Sequence, residues 1–282
     1  MSIIKCPVCG EQLTQRQNAY VCEHKHSFDI AAKGYVNLLP SNRKNSKQPG
    51  DNKQMVHSRN QFLNAGFYAK LSDTINTLVL DHFSCGKRGS GEVHILDSGC
   101  GEGYYLGSLA KAFTSQQINA SFYGIDISKE AIRIAASRSR NIFLGVASSF
   151  DLPVMSGTID CLLQAFSPCS DAEFYRVLRK EGLLISVIPG RKHLLGLKQF
   201  LYEQPYENDE MEYPLTSFQK VNQVRVSYPI TLCDRELIGH LFRMTPYFWR
   251  TGAEKVQELE QLEALETLCE FVITVYSPRK LL

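Results

Sequence analysis

The sequence predicts an α/β fold in which a parallel sheet is covered by helices on both faces, is closed by two further strands to make seven in all, and is preceded by a small cysteine-rich domain. From residue 93 onward, short apolar runs alternate with stretches of helical periodicity. A glycine-rich turn follows the first apolar run, and three of the nine cysteines lie within the first 22 residues. Such alternation is typical of parallel strands, because parallel neighbours need long crossover connections.

The cysteine-rich head, residues 1–36, contains a candidate metal site. Cys6 and Cys9 form a CxxC pair, and twelve residues later Cys22 and His26 form a CxxxH pair. Zn²⁺ binds thiolates and imidazoles tetrahedrally, so two such pairs on separate turns can converge on one ion. His24 is an alternative fourth ligand, although the three-residue spacing favours His26. Because so small a head buries little apolar surface, we expect the zinc to be structural.

Residues 37–60 are polar, basic and interrupted by proline and glycine, a composition typical of a linker or of a segment that becomes ordered on binding. Residues 1–60 contain nine Lys or Arg, among them Arg43, Lys44 and Lys47, against four Asp or Glu. This front part therefore carries a charge of +5, on a chain whose net charge is only +2. It can contact phosphate backbones, although an ordinary solvated surface explains the charge equally well.

The bulk composition, with 44% hydrophobic and 21% charged residues, is typical of a globular protein. No apolar run approaches the roughly 18 residues needed to span a bilayer. The N-terminal sequence MSIIKCPVCG lacks the apolar core and cleavage site of a secretory signal. We therefore expect a cytoplasmic protein that does not bind membranes and whose clustered cysteines hold a metal rather than disulfides.

The main domain, residues 61–282, supplies the predicted strands and helices. The strands are expected at 93–97, 121–126, 141–147, 159–166, 182–189, 224–232 and 269–277. The helices are expected at 67–83, 104–113, 128–140, 171–180, 193–202 and 234–244. The segment 190–220 interrupts the alternation with a polar, acidic loop rich in tyrosine and proline, so we interpret it as an inserted substrate lid.

The turn after the first strand is the most informative motif. Asp97 ends the strand and is followed by glycines at 99, 101 and 103 in a GxGxG pattern. Glycine permits unusual backbone angles and close ligand approach at a strand's carboxyl end, where nucleotides bind. The spacing is not that of a dinucleotide fingerprint. A carboxylate at Asp97 can accept hydrogen bonds from a cationic amino-acid group, which favours S-adenosylmethionine over NAD.

Two further positions agree with this donor. Asp126 ends the second strand, where a carboxylate can accept hydrogen bonds from both ribose hydroxyls. Ser148 follows the third strand, where adenine is expected. Methyltransferases commonly have an acidic residue there, so the serine is a departure from the pattern.

Nearly the full length resembles the bacterial 23S rRNA (guanine-N1)-methyltransferases. The resemblance is carried by CPVC…CEHKHSFD, KGYVNLLP, PGD, DSGCGEGYY, VASSFDLP, FSPC, PGRKHLLGLK and MTPYFWR. It implies a Rossmann-like S-adenosylmethionine-dependent domain of seven strands that methylates N1 of one guanine in a 23S rRNA hairpin. It also implies a homodimer whose zinc heads and catalytic domains form a basic cleft, and it adds Tyr68, Glu102 and His193, together with Gly101, to the donor-contacting residues.

The acceptor side is less determined. Phe166 and Pro168, after the fourth strand, lie where related enzymes hold the target base. Phe166 can stack on a base, or it can be an ordinary core aromatic at the end of a strand. No general base is evident, although His193 and Glu102 are within conceivable reach. Alternative functions are methylation of another RNA or a small metabolite, and a catalytically silent zinc-bearing RNA-binding scaffold. The sequence does not identify which guanine is modified.

Overall fold

The computed structural model describes residues 2–40, 50–84, 91–138, 141–210 and 212–279. Its main sheet contains eight strands: β4 (Val36–Asn37), β5 (Val93–Ser98), β6 (Ala120–Asp126), β7 (Ile142–Val146), β8 (Ile159–Ala165), β9 (Leu178–Pro189), β10 (Phe218–Leu232) and β11 (Leu265–Pro278). Their order is β10-β11-β9-β8-β5-β6-β7-β4. The strands from β9 to β4 are parallel, whereas β11 and β10 form an antiparallel edge.

All seven predicted strands are present, and the eighth, β4, was not predicted. It comes from the end of the head, where Val36 pairs with Gly145 and Asn37 with Val146 on β7. Two residues are too few to show the alternation by which a strand is recognised in a sequence. The prediction of seven strands is therefore one strand short. The sheet is parallel from β9 to β4, as predicted, and the two closing strands, whose direction the sequence did not give, add an antiparallel edge.

The helices are α1 (Lys53–Asn64), α2 (Ala69–Ser84), α3 (Tyr104–Ser115), α4 (Lys129–Arg138), α5 (Asp171–Val177), α6 (Leu195–Leu201), α7 (Arg235–Arg243) and α8 (Ala253–Glu260). The predicted helix over 171–180 ends early because Leu178 pairs with Ile159 in the sheet. A 3₁₀ turn, Pro246–Trp249, and α8 were not predicted. None of the described helices is both long and apolar enough to cross a membrane.

The predicted linker, residues 37–60, differs from the structure at both of its ends. Its first residue belongs to β4, and its last eight residues lie in α1. Asn52 caps α1, because its side chain accepts a hydrogen bond of 2.9 Å from the backbone N–H of Met55. Val56 and Leu63, seven residues apart on one face of this helix, are buried, so the segment folds despite its polar composition. Residues 41–49, which include Arg43, Lys44 and Lys47, lie outside the described residues.

The two faces of the sheet are covered differently. Alternate residues of the central strands point to opposite faces, so Ile95 joins one apolar cluster and Leu96 the other. Residues of α2, α3, α6 and α7 pack on the first face. The second face is covered in part by α5 and in part by the head rather than by helices alone.

The head contains a small antiparallel sheet of β1 (Thr14–Arg16), β2 (Ala19–Val21) and β3 (Ser27–Asp29). Its first residues pair with the main domain, since the N–H of Met155 donates to the carbonyl of Ile3 at 2.8 Å and Ile4 bridges Val154. Ile3, Ile4 and Leu13 share a buried cluster with Val154. The head is thus docked on the sheet domain through backbone bonds and a common core.

Candidate functional site

The four predicted metal ligands lie together in the head. The ligand atoms of Cys6, Cys9, Cys22 and His26 are all within 4.8 Å of one another. Cys9 Sγ lies 3.7 Å from Cys22 Sγ, and Cys22 Sγ lies 3.4 Å from His26 Nδ1. Tetrahedral Zn²⁺ with ordinary bond lengths places S–S and S–N pairs about 3.8 and 3.5 Å apart, so these residues fit the ion. His24 is exposed and its ring lies 6.5 Å from that of His26, outside the cluster.

Two turns bring these ligands together. Cys6 and Cys9 flank a tight turn closed by a 2.9 Å bond from the N–H of Gly10 to the carbonyl of Cys6. Cys22 and His26 flank a second turn between β2 and β3, in which the N–H of Cys22 donates to the carbonyl of His26 at 3.1 Å. Both turns are local, so the spacing along the chain is sufficient to position all four ligands.

A crevice of about 710 Å³ opens at the carboxyl ends of the parallel strands. Its lining contains every residue that the sequence suggested for the donor or the target base: Tyr68, Asp97, Gly99, Gly101, Glu102, Asp126, Ser148, Phe166, Pro168 and His193. We call this cavity the donor crevice. Its position agrees with the rule that ligands bind outside the carboxyl ends of parallel strands.

The glycine turn forms the floor of the donor crevice. Gly99 has a φ of 85°, and a Cβ at this position would overlap the side chain of Ser167. Gly101 has a φ of 54°, and its N–H donates to Asp126 Oδ2 at 2.9 Å. Side chains are therefore excluded at Gly99 by strain and by space together, which leaves the backbone of the turn open to a ligand.

The carboxylate of Asp97 is buried in surroundings that favour a positively charged ligand. It is 1% exposed, and among the described residues its Oδ1 has no hydrogen-bond partner. Burial raises the pKa of Asp97 well above its usual range, and the nearby carboxylates of Asp126 and Glu102 raise it further. A buried acid without a partner is costly, so the site favours a ligand that brings a positive charge. The amino group of S-adenosylmethionine has that charge.

Asp126 has a different environment at the end of β6. Its Oδ2 accepts from the N–H of Gly101, and its Oδ1 accepts from the N–H of Ser128 at 2.7 Å. Each carboxylate oxygen has a further lone pair, so the group can still accept hydrogen bonds from ribose hydroxyls. Ser148 also lines the crevice, where its Oγ accepts from the N–H of Phe150 at 3.2 Å. Phe150, which is 62% exposed, also lines the crevice next to Ser148. The sequence did not single out this residue.

Two arginines in or beside the donor crevice were also missed. Arg59, on α1, lies 2.5 Å from Asp51, and both residues line the crevice. Arg138, at the end of α4, lies 2.6 Å from the buried Glu102 and donates to Asn60 on α1 at 2.7 Å. The Arg138 contacts tie α1 to the glycine turn. Neither arginine stands in a recognisable motif, and their roles become visible only when α1 packs beside α4.

Tyr68 and His193 meet across the donor crevice, although 125 residues separate them. The hydroxyl of Tyr68 lies 3.1 Å from Nε2 of His193, and Nδ1 of His193 accepts from the backbone N–H of Glu270 at 3.2 Å. Burial, with a smaller contribution from Lys198, lowers the pKa of His193 to about 3. The ring is therefore neutral at ordinary pH and carries its proton on Nε2. It donates this proton to the Tyr68 oxygen, so the Tyr68 hydroxyl is free to donate into the crevice.

Phe166 occupies the acceptor side in a strained conformation. Its φ is 57°, a region that residues with a bulky side chain rarely adopt. The ring is 41% exposed and lies 5.7 Å from the ring of Phe271 and 6.3 Å from that of Tyr105. Phe166 is thus a partly exposed ring of the crevice wall rather than a buried core aromatic.

Hydrogen bonds of a buried lysine hold part of the segment predicted as a lid, 190–220, in place. Lys198 is fully buried, and its Nζ donates to the carbonyl of Tyr206 at 3.0 Å and to Asn208 Oδ1 at 2.6 Å. Asn208 in turn donates to the carbonyl of Gly190 at 2.8 Å. Tyr206 and Asn208 line the donor crevice, so this network holds one wall of the site in place.

Comparison with known proteins gives the same division of the chain. The zinc-ribbon family described as "RlmA, N-terminal" matches residues 4–47, and the family described as "Methyltransferase domain" matches residues 90–224. A Bacillus subtilis protein named as a 23S rRNA (guanine-N(1)-)-methyltransferase is 31% identical over 97% of this chain and 96% of its own length. A protein of the same name from Micromonospora griseorubida is 31% identical over 90% and 89%. The 23S rRNA (guanine(748)-N(1))-methyltransferase of Streptomyces fradiae is 28% identical over 96% and 95%.

Proposed function

Because this chain belongs to the 23S rRNA (guanine-N1)-methyltransferase family, we propose that it transfers a methyl group from S-adenosylmethionine to N1 of one guanine in a 23S rRNA hairpin. The observation that carries the proposal is the donor crevice, in which an unpartnered buried carboxylate and a strained aromatic ring line the same cavity. The buried carboxylate of Asp97 favours a methyl donor that carries a positive charge. The ring offers a flat apolar surface to a base.

The donor's methionyl end would lie between Asp97 and Arg59. The carboxylate of Asp97 would accept hydrogen bonds from the ammonium group, and the guanidinium of Arg59 would bind the carboxylate. Arg59 Nη1 lies 4.0 Å from the position that a Cβ would take on Gly101, so it reaches the glycine turn. Asp126 would accept hydrogen bonds from the ribose hydroxyls, and Phe150 would cover the adenine.

Bound S-adenosylmethionine supplies the methyl group, and the residues of this chain align the acceptor with it. The reaction is a direct displacement, so positioning contributes much of the rate. Guanine N1 lies on the pairing edge of the base, which must therefore be unpaired or extruded. Phe166 and the backbone around Pro168 would hold that base.

The proton on guanine N1 must leave, and two candidate bases do not suit this role. His193 Nδ1 is occupied by the N–H of Glu270, and its low pKa makes the ring a poor proton acceptor. The carboxylate of Glu102 is buried against Arg138 at 2.6 Å. His193 instead orients the hydroxyl of Tyr68 toward the donor.

The zinc head and the basic segment after it would grip RNA phosphates, while the donor crevice selects the base. The 190–220 segment would cover the bound base as a lid. We further propose a homodimer in the cytoplasm, with the head and catalytic domains forming one cleft for the hairpin. Light scattering measures the dimer directly. Neutralising Arg43, Lys44 and Lys47 together should weaken RNA binding and flatten its salt dependence without changing donor affinity.

The decisive assay is methyl transfer to undermodified 23S rRNA, with the product nucleoside identified by mass spectrometry. The expected product is 1-methylguanosine, and mapping its position identifies the guanine. Methyl on another base or atom, or on no RNA at all, would overturn the proposal. Donor binding in a calorimeter with no transfer to any acceptor would instead support a silent RNA-binding scaffold.

A further inference from the structure

The exposed aromatic side chains are concentrated at the donor crevice. In the described part of the chain, seven large hydrophobic residues are exposed, and five of them are aromatic: Phe150, Phe166, Tyr206, Tyr213 and Trp249. Three of the five line the crevice itself. Isolated exposed apolar residues are normal, but a group that converges on one opening marks a binding surface.

The remaining two aromatics adjoin residues of the crevice wall, one through a hydrogen bond and the other along the chain. The hydroxyl of Tyr213 donates to the carbonyl of Ser167 at 3.1 Å, and Ser167 follows Phe166 in the crevice wall. Trp249 is 61% exposed and lies in the chain between Tyr247 and Arg250, both of which line the crevice. We call Phe166, Tyr206, Tyr213 and Trp249 the aromatic rim.

On the loop that carries Tyr206 and Tyr213, the charges favour bases over phosphates. The loop that carries Tyr206 and Tyr213 also carries the exposed carboxylates of Glu203, Glu207 and Asp209. These acids repel a phosphate backbone at close range, whereas base faces are uncharged and base edges offer N–H donors. The aromatic rim therefore fits unpaired bases that stack, with their phosphates directed away from the loop.

We propose that the aromatic rim is a stacking surface for unpaired nucleotides that flank the target guanine in the RNA. This inference rests on the proposed function and extends it from the extruded base to its neighbours. Trp249 and Tyr213 hold the flanking bases, while Phe166 holds the target. The rim thereby selects a loop or bulge over a regular helix, because only unpaired bases expose their faces.

The chain offers a direct reporter, since Trp249 is its only tryptophan. A single-stranded oligoriboadenylate of about 12 nucleotides should quench the Trp249 fluorescence, and part of the quenching should persist at high salt. The same strand in a duplex with oligouridylate should quench much less. Equal quenching by the duplex, or quenching that vanishes completely as salt is raised, would overturn the stacking surface.

Substitutions then test the rim on the natural substrate. Trp249→Ala should raise the KM for undermodified 23S rRNA roughly tenfold, whereas Trp249→Phe should keep it near the wild-type value. Tyr213→Ala should act like Trp249→Ala, and Tyr213→Phe should act like wild type because the ring is kept. Val221→Ala is a matched control, since Val221 is also 61% exposed but is an aliphatic residue of β10 without a ring to stack.

The proposed function and the rim fail in distinguishable ways. Affinity for S-adenosylhomocysteine, measured by calorimetry, should be unchanged in all five variants and reports that each is folded. An unchanged KM in Trp249→Ala and Tyr213→Ala, with transfer to rRNA intact, would refute the rim alone. Donor binding without methyl transfer by the wild-type enzyme would refute the proposed function.

Discussion

The zinc cluster and the donor crevice are both binding sites, but they are assembled in opposite ways. The four cluster ligands come from 21 consecutive residues, Cys6 to His26, on two adjacent turns. The crevice is lined by residues from Gly50 to Arg250. In the cluster, the four ligand atoms face one another and fit a single ion. In the crevice, buried charges lie among hydrogen bonds, and within the described part of the chain Asp97 Oδ1 has no partner.

This difference separates a site made for stability from one made for turnover. A structural metal contributes its binding free energy to folding, so closing all four positions is favourable. A ligand site must release its product, and an unpartnered carboxylate stores a cost that the ligand relieves. We therefore expect loss of a cluster ligand to affect folding first, and loss of a crevice residue to affect binding or rate first.

The largest effect is expected in the cluster. Cys9→Ser should lose nearly all bound zinc, because removing a thiolate from a site with four ligands opens it, and structural zinc contributes on the order of 10 kcal/mol. The head should unfold. The unfolding temperature of the sheet domain should fall as well, because Ile3 and Ile4 of the head share its apolar core. Elemental analysis measures the zinc. Cys233→Ser, an exposed cysteine outside the cluster, is the control and should retain one equivalent.

The next effect is on donor affinity. Asp97→Asn should weaken S-adenosylmethionine binding about ten- to a hundredfold, because a charged hydrogen bond contributes on the order of 1.5–3 kcal/mol. Thermal stability should not fall, because a buried, unpartnered carboxylate is removed. Calorimetry and thermal unfolding measure the two changes. 5′-Methylthioadenosine, which lacks the amino-acid end, should bind wild type and variant alike, and a parallel loss for this ligand would contradict the role given to Asp97.

Asp126 should behave differently from Asp97. Asp126→Ala removes the acceptor of two backbone N–H groups, those of Gly101 and Ser128. We expect a loss of donor affinity of about ten- to a hundredfold together with a lower unfolding temperature, since the glycine turn loses its support. The same two measurements apply. Reduced affinity at an unchanged unfolding temperature would show that Asp126 contacts the donor without supporting the turn.

A smaller effect is expected on the acceptor side. Phe166→Ala should lower kcat roughly tenfold and change the KM for rRNA little, because the ring aligns the target base more than it binds the RNA. Alanine at this position keeps the strain of a positive φ, so the variant isolates the ring. Single-turnover methyl transfer provides the measurement. A raised KM with unchanged kcat would place Phe166 with the RNA-binding residues instead.

An effect on stability alone is the pH dependence that His193 contributes. Its pKa is about 3 in the folded protein and near 6.5 when unfolded, so its contribution is complete above pH 6.5 and declines as pH falls toward 3. The slope is at most about 1.4 kcal/mol per pH unit. His193→Gln should flatten the dependence of the urea midpoint between pH 7 and 5. Identical slopes in both proteins would mean that His193 is not buried as a neutral ring.

Much of the fold was predictable because its signals are local. Strand and helix periods, the N-terminal cysteine spacing and the GxGxG turn each span a few residues, and each describes a backbone requirement of its own segment. Asp97 and Asp126 were predicted for the same reason, since each ends a strand whose neighbours meet at one edge of the sheet. The antiparallel edge and β4 were not predicted, because the direction of a strand and a pairing of only two residues depend on partners that are distant in the sequence.

The tertiary structure alone decided what the crevice residues do. Arg59 and Arg138 lie in no motif, and their contacts follow from the elements that pack beside them. The pairing of Tyr68 with His193 joins residues 125 positions apart, and the N–H of Glu270 on a third element determines which ring nitrogen carries the proton. A sequence records which groups are available. Burial and neighbouring dipoles set their charge and polarity, and both arise only when the chain is folded.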